Sequence, residues 1–239
     1  MFVKLFFRNY FLVTFRPPNA YQMTKKLKRD QLPAAKAKNW RHNFKEEKDK
    51  TFNLKVPKII LQKETYLALA GENENRVRIY LGLENDKEDH KYKLCAFAVS
   101  AFLLGSGDVY ADYETPVFKL EKKNVDFSNN TKEVIERIHL YRKWRSGELD
   151  ADDPGAIYRR YIYPNAYLMT KFELHEIFIA QKKDEALIEF GISKTMDAMV
   201  TGTSLLEADE QAAVEEEQEY FDVMAPCPPY CDERSLYNS

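Results

Sequence analysis

Two cysteines near the C-terminal end are the first candidates for chemistry. Cys227 and Cys231 enclose Pro-Pro-Tyr in a Cys-x3-Cys spacing, so the two sulfurs can bind the same metal ion or each other. A structural zinc site needs four ligands, and the other two would have to come from Cys95, a distant histidine or a second copy of the chain. Cys95 lies in an apolar run and is expected to be a buried small side chain. One hypothesis is therefore a metal or redox role of the Cys227/Cys231 pair, and the alternative is a disulfide or a reduced pair without chemistry.

Histidines and carboxylates offer weaker candidates. Glu136 and His139 form a Glu-x-x-His pair on a predicted helix, as in carboxylate-bridged di-iron bundles, but those sites use the motif twice and here it occurs once. His175-Glu176 begins like a zinc-protease motif, yet the position of the second ligand is Ile179. The histidines also lack the spacing to a nucleophile and a carboxylate that is typical of a triad. We therefore expect no catalytic residue and no cofactor.

Two clusters combine cations with aromatic rings, at residues 141–145 (YRKWR) and 158–163 (YRRYIY). Nucleic-acid binding uses cations for phosphates and flat rings for bases, so these clusters support it as an alternative function. Against it, Tyr141 and Trp144 fall on a predicted buried helix stripe, and the isoelectric point is near 6.2. The candidate nucleic-acid contacts are Lys25, Lys26, Lys28, Arg29, Arg142 and Arg145.

The second cluster is also a candidate anchor for a protein partner, because aromatic residues and arginine are enriched in the centres of interfaces. The candidate partner-binding residues are Tyr158, Arg159, Arg160, Tyr161 and Tyr163.

Charge divides the 239-residue chain into three parts, although the net charge is only -2. Residues 1–50 hold 13 basic and 4 acidic side chains, whereas residues 191–239 hold 2 basic and 11 acidic ones. We predict a basic N-terminal arm at 1–56, a folded domain at 57–195 and an acidic tail at 196–239. The chain has only eight glycines, which argues against a dinucleotide-binding protein, and only three cysteines, which argues against a secreted disulfide scaffold.

The first residues are apolar, but Lys4 and Arg8 interrupt the run, and no uncharged stretch there is long enough to span a membrane. A locally amphipathic leader and a start of translation at Met23 are both compatible with this segment. We expect no membrane partner.

Hydrophobic patterns predict an α+β fold: a small, mainly antiparallel sheet packed by several helices, with flexible charged ends. Alternating apolar residues predict a strand at 76–84, and a nearly continuous apolar run predicts a deeper strand at 92–104 that forms a hairpin with it. After a turn at 105–108, weaker strands are expected at 109–113 and 116–120.

Apolar spacings typical of helices occur at 57–70, at 130–147 and at 166–180. The second is the clearest, since it carries the stripe Val134, Ile138, Tyr141 and Trp144 and ends at Gly147. Residues 184–190 fit either a helix or a strand.

The strand Arg78-Ile79-Tyr80-Leu81-Gly82-Leu83 and the ending Cys-Pro-Pro-Tyr-Cys with a final Asn-Ser resemble a family of small uncharacterised bacterial proteins with an R-I-Y-x-G-L strand and a C-terminal C-P-P-Y-C tail. The resemblance covers residues 57–104 and 224–239 and implies no known activity. It implies a bacterial, cytoplasmic setting, and the insertion at 105–224 departs from the family's short form. From the oppositely charged ends and the aromatic-rich insertion, we expect a non-catalytic protein-protein interaction or scaffold protein.

Overall fold

The computed structural model describes residues 27–48, 52, 54–86, 92–105, 109–149, 155–203, 218–222, 225–228 and 231–238. The strands in these ranges are β1 (Gln31–Leu32), β2 (Ile59–Gln62), β3 (Arg76–Asn85), β4 (Tyr92–Leu103), β5 (Tyr110–Lys119), β6 (Val125–Asp126), β7 (Ala166–Leu168), β8 (Glu185–Ile192), β9 (Met196–Thr203), β10 (Tyr220–Phe221) and β11 (Ala225–Cys227). The helices are α1 (Ala34–Glu47), α2 (Lys63–Ala70), α3 (Thr131–Ser146), α4 (Ala156–Ile162) and α5 (Lys171–His175), with a π-helical turn at Glu176–Ala180 and a 3-10 turn at Leu236–Asn238.

The strands form two antiparallel sheets, so the predicted α+β class is confirmed, with two sheets in place of the single one expected. The first sheet has the order β1-β10-β9-β8-β2 and the second has the order β11-β7-β3-β4-β5-β6. The predicted hairpin is β3–β4, in which Gly82 lies opposite Cys95. The two weak strands predicted after it form one continuous strand, β5, whose pairing with β4 shifts register near Val99.

The main hydrophobic core lies between the two sheets. Alternate residues of β3, such as Val77 and Leu81, face residues of β8 and β9, such as Ile188 and Val200. The hydroxyl of Tyr167 in β7 donates a hydrogen bond of 2.7 Å to the carbonyl of Met196, which joins the sheets across this core. One face of β3 and β4 packs against the first sheet, and helices cover the opposite face. Both strands are therefore buried on both faces.

Helix α3 and the C-terminal residues cover the outer face of the second sheet. The predicted apolar stripe of α3 is confirmed, because Val134, Ile138 and Tyr141 are fully buried and Trp144 is nearly so. Val134 and Ile138 pack against the outward side chains of β3 and β4, together with Tyr237 from the end of the chain. The outer face of the second sheet is therefore shielded from solvent, so the outward-facing side chains of β3 and β4 do not have to be polar.

Two predicted helices are wrong in part. Residues 59–62 form β2, which pairs with β8, and only residues 63–70 are helical. The segment 166–180 begins with β7, which pairs with β3, and turns helical at Lys171. In both segments the apolar residues fit a helical spacing, but pairing with a distant strand decides the backbone conformation, as is usual for short apolar runs. The ambiguous segment 184–190 is strand β8.

The predicted domain boundaries at residues 57 and 195 are wrong, because the first sheet contains strands from all three predicted parts of the chain. Trp40 and Phe44 of α1 are buried, and the ring of Phe44 lies 5.8 Å from that of Phe190 in β8. From the other end, β9 and β10 pair with each other and with β8 and β1. Residues 27–48 carry few apolar side chains, and Trp40 and Phe44 among them are buried against the first sheet of the same protein. Residues 1–26 and most of the acidic stretch, 204–217, lie outside the described residues.

Candidate functional site

Helix α4 presents an apolar surface to solvent. Ile157, Tyr158 and Tyr161 are exposed to 63%, 64% and 70% of their full areas, the largest exposed fractions among the large hydrophobic residues that the structure describes. Their positions i, i+1 and i+4 place them on the same side of the helix, and Arg160 is exposed beside them. We call Ile157, Tyr158, Arg160 and Tyr161 the α4 surface.

The opposite side of α4 is fixed in the core. Arg159 is only 6% exposed, its guanidinium lies 4.6 Å from the centre of the Trp144 ring, and it donates a hydrogen bond of 3.1 Å to the Trp144 carbonyl. Tyr163 is 1% exposed and lies against the rings of Trp144 and Phe52. A short helix with so few turns needs such anchoring, because its own hydrogen bonds are too few to hold it.

Each of the two helices caps the carboxyl end of the other with an arginine. Arg145, from the last turn of α3, donates to the carbonyls of Arg160 and Tyr163 at the end of α4, and at 3.1 Å to the side-chain oxygen of Asn165. Arg159 of α4 donates to Trp144 at the end of α3. The last carbonyls of a helix lack partners within the helix, so these bonds satisfy them and fix the angle between α3 and α4.

Gly147 lets α3 and α4 approach each other. Its φ is +83°, and a Cβ at this position would overlap the Cβ of Ala156. Gly147→Ala should therefore lower the free energy of unfolding by about 2 kcal/mol, from the left-handed backbone and the overlap together. Gly105→Ala is the control, because Gly105 also has a positive φ, +65°, but nothing lies within 4 Å of its Cβ position. Urea unfolding of both variants tests this, and equal losses would show that the close approach to Ala156 has no cost.

A shallow cleft of about 350 Å³ borders the end of α3 and is lined by Arg142, Lys143, Arg145 and Asn165, among others. Arg142 donates hydrogen bonds of 2.7 and 2.6 Å to the Tyr237 carbonyl and the side-chain oxygen of Asn238. Burial lowers the pKa of both Arg142 and Arg145, although each keeps its charge at neutral pH. The arginines of this cleft are thus engaged with carbonyl groups that they hold in place.

The four described residues among the predicted nucleic-acid contacts belong to two separate groups. Lys25 and Lys26 lie outside the described residues. Lys28 contacts Glu176 and Glu219, and Arg29 lies beside Asp30 and the Phe172 ring. Arg142 and Arg145, in contrast, bind the C-terminal segment and α4. In the described part of the chain, the two groups of cations therefore contact different elements.

The predicted partner-binding residues fall into an exposed group and a buried group. Tyr158, Arg160 and Tyr161 are exposed as such a role requires, whereas Arg159 and Tyr163 are buried, which corrects their assignment. Ile157 was missed. The helical period separates Arg159, on the inner side of α4, from Tyr158 and Tyr161, whereas Tyr163 follows the last helical residue in extended conformation and the period does not indicate its burial.

The two C-terminal cysteines are joined as a disulfide, Cys227–Cys231. Neither sulfur is then a thiolate that can bind a metal. Among the described residues no three potential ligands gather around one point. Cys95 is buried as predicted, and burial raises the pKa of its thiol to about 12.

The structure also describes both histidine motifs, Glu136 with His139 and His175 with Glu176. Glu136 is exposed and lies 3.9 Å from Lys132, while His139 is part of the cleft lining. Glu176 binds Lys28, and His175 next to it is exposed. Within the ranges that the structure covers, neither motif belongs to a group of three or more potential metal ligands.

No family model, no curated protein and no solved structure matches this chain. The resemblance to small bacterial proteins with a C-P-P-Y-C tail stays a prediction. None of the helices in the described ranges combines the length and apolar character that crossing a bilayer requires.

Proposed function

We propose that this protein is a non-catalytic interaction protein that binds a protein partner through the α4 surface. One observation carries the proposal: Ile157, Tyr158 and Tyr161 are 63–70% exposed on a helix whose inner side is locked by Arg159 and Tyr163. Tyrosines that lose little conformational freedom on binding are effective anchors, because the rings are large and the backbone is already ordered.

The chemistry of the surface defines the kind of partner it fits. The three exposed apolar side chains need an apolar groove that removes their area from water, a contribution of about 25 cal/mol per Å² before the costs of association. Arg160, exposed beside Tyr161, favours a carboxylate at the rim of that groove. The partner we propose is thus a protein with an apolar groove and an acidic rim.

Affinity capture from the cells that make the protein tests the proposal. Wild type is compared with Tyr158→Ser/Tyr161→Ser and with Leu67→Ser, a control at a hydrophobic residue that is 50% exposed on α2. We expect a partner that co-purifies in stoichiometric amounts with wild type and with the Leu67 variant, is lost with the double variant, and binds again when both proteins are purified. Equal recovery with all three proteins would contradict the proposal.

Nucleic-acid binding is the alternative that the same preparation tests. Arg142, Lys143 and Arg145 are the lysine and arginine cations that line the cleft, and a labelled single-stranded oligonucleotide is the probe. Binding that falls steeply between 50 and 200 mM salt and is reduced by Lys143→Gln would favour this alternative over a protein partner. On the proposed function, we expect no binding even at low salt.

A further inference from the structure

The last residues of the chain form a cover over β3, β5 and α3. Tyr237 is 1% exposed, its ring lies 5.5 Å from that of Tyr80, and its hydroxyl donates to the Glu114 carbonyl. Asp232 accepts a hydrogen bond of 2.9 Å from the Asp112 amide. We call residues 231–238 the C-terminal cover.

Beneath the cover lies a buried polar cluster. Arg78 and Asp112 form an ion pair of 2.7 Å with side chains that are each 1% exposed, and the Tyr80 hydroxyl donates to Asp112. Ser235, from the cover, lies 3.3 Å from the Tyr80 hydroxyl. Detachment of the cover would thus admit water to groups whose present partners include cover residues.

The cover also reaches the candidate interaction site. The Tyr237 carbonyl and the Asn238 side chain accept hydrogen bonds from Arg142 of α3, three residues before Arg145, which caps α4. The two arginines line the same cleft. The state of the cover therefore bears on the α3–α4 region, independently of whether α4 binds a partner.

The disulfide links the first residue of this cover covalently to β11. Cys227 is fully buried in β11, at the edge of the second sheet, whereas Cys231, the first residue of the cover, is only partly buried. The bond closes a ring of five residues and fixes where the cover begins. Because Cys231 has exposed area and Cys227 has none, we expect a thiolate from solvent to attack the Cys231 sulfur.

We propose that Cys227–Cys231 is a thiol–disulfide exchange site for a dithiol reductant, and that its reduction releases the C-terminal cover. One thiolate of the reductant attacks the Cys231 sulfur, the Cys227–Cys231 bond breaks, and the Cys227 sulfur leaves and takes up a proton. The second thiol of the reductant then attacks its own sulfur in the mixed disulfide and frees Cys231 as a thiol. Two electrons and two protons pass to the protein, and the reductant becomes a disulfide.

The size of the release follows from loop closure. Closing a ring of five residues removes chain entropy that corresponds to about a 30-fold change in an equilibrium constant. Reduction should therefore raise the detached fraction of the cover about 30-fold. The sheets are held by separate contacts and should not change.

Hydrogen exchange with oxidised and dithiothreitol-reduced wild type tests the proposal, with thiol alkylation and mass spectrometry to count the thiols. Cys95→Ala serves as background, so that the two new thiols are Cys227 and Cys231. We expect both to be alkylated after reduction, with about 30-fold faster exchange at the amides of Asp112, Tyr237 and Asn238 and no change in the β8–β9 pairing. Cys231→Ser should exchange at the fast rate with or without reductant.

Two results would overturn the proposal. One is a disulfide that 10 mM dithiothreitol leaves intact in the folded protein. The other is complete reduction without faster exchange of the cover, which would leave the bond without a role in holding it. The comparison of oxidised with reduced wild type decides both points even if the Cys231 variant does not fold.

Discussion

Replacing Asp112 with alanine should lower the free energy of unfolding by about 3–5 kcal/mol, the largest effect we expect from a single substitution. Arg78 and Asp112 lie side by side with almost no exposed area, and Arg78 also donates a hydrogen bond of 3.1 Å to the Tyr110 carbonyl. Burial raises the pKa of Asp112 even though the guanidinium of Arg78 acts to lower it. Without the carboxylate, the buried guanidinium of Arg78 would lose the anion that it contacts at 2.7 Å.

Two comparisons isolate the cause of that loss in urea unfolding. Arg78→Met/Asp112→Leu removes both charges and should recover much of the stability, since an apolar pair of similar volume carries no desolvation cost. Glu136→Ala breaks an exposed ion pair with Lys132, side chains 65% and 89% exposed, and should change stability by less than about 1 kcal/mol. A loss below 1 kcal/mol for Asp112→Ala would mean that water reaches Arg78 in the folded protein.

Glu173 should make the protein less stable as the pH rises from 4.5 to 7. This side chain is fully buried at the start of α5, where the Thr170 amide donates to it at 2.7 Å and the Thr170 hydroxyl also contacts it. Burial raises its pKa from the ordinary 4.5 to about 7, despite the hydrogen bonds from Thr170 that act to lower it. The folded state therefore binds the proton more tightly than the unfolded state.

The sign of the pH effect is opposite to that of a carboxylate in an ion pair. Below pH 4.5 the carboxyl is protonated in both states and has no pH-dependent cost, whereas above 7 the folded state must hold a buried charge worth about 3 kcal/mol. The free energy of unfolding of Glu173→Gln, minus that of wild type, should therefore rise by about 3 kcal/mol between pH 4.5 and 8. Parallel pH curves for the two proteins would exclude a raised pKa at this position.

Sequence patterns predicted the elements whose apolar period is long and unbroken. The alternation at 76–84 and the stripe of α3 define one structure each, and both are present. Ile59 and Ile60 fit a helix as well as a strand, and the partner that decides, β8, is more than 120 residues away in the chain. Trp40 and Phe44 stand four residues apart and fit one face of a helix, but the contact of Phe44 with Phe190 is not visible in the local sequence.

The candidate site was predicted in composition and not in geometry. The aromatic and basic cluster of α4 was found, yet composition does not say which side chains face inward. The role of Arg145 and Arg159 as caps depends on the angle between two helices, which arises from packing around Trp144. The contact of Asp232, Ser235 and Tyr237 with β3 and β5 joins segments more than 100 residues apart, so no spacing in the sequence indicates it.

Titration calorimetry with the purified partner is the most direct measurement of whether the α4 surface binds. We predict that Tyr158→Ser/Tyr161→Ser weakens binding at least tenfold while its unfolding midpoint stays close to that of wild type, because both side chains are exposed in the free protein. Leu67→Ser should bind within twofold of wild type. Equal affinity of the tyrosine variant and wild type would show that the partner binds elsewhere and that the exposed rings of α4 have no role in recognition.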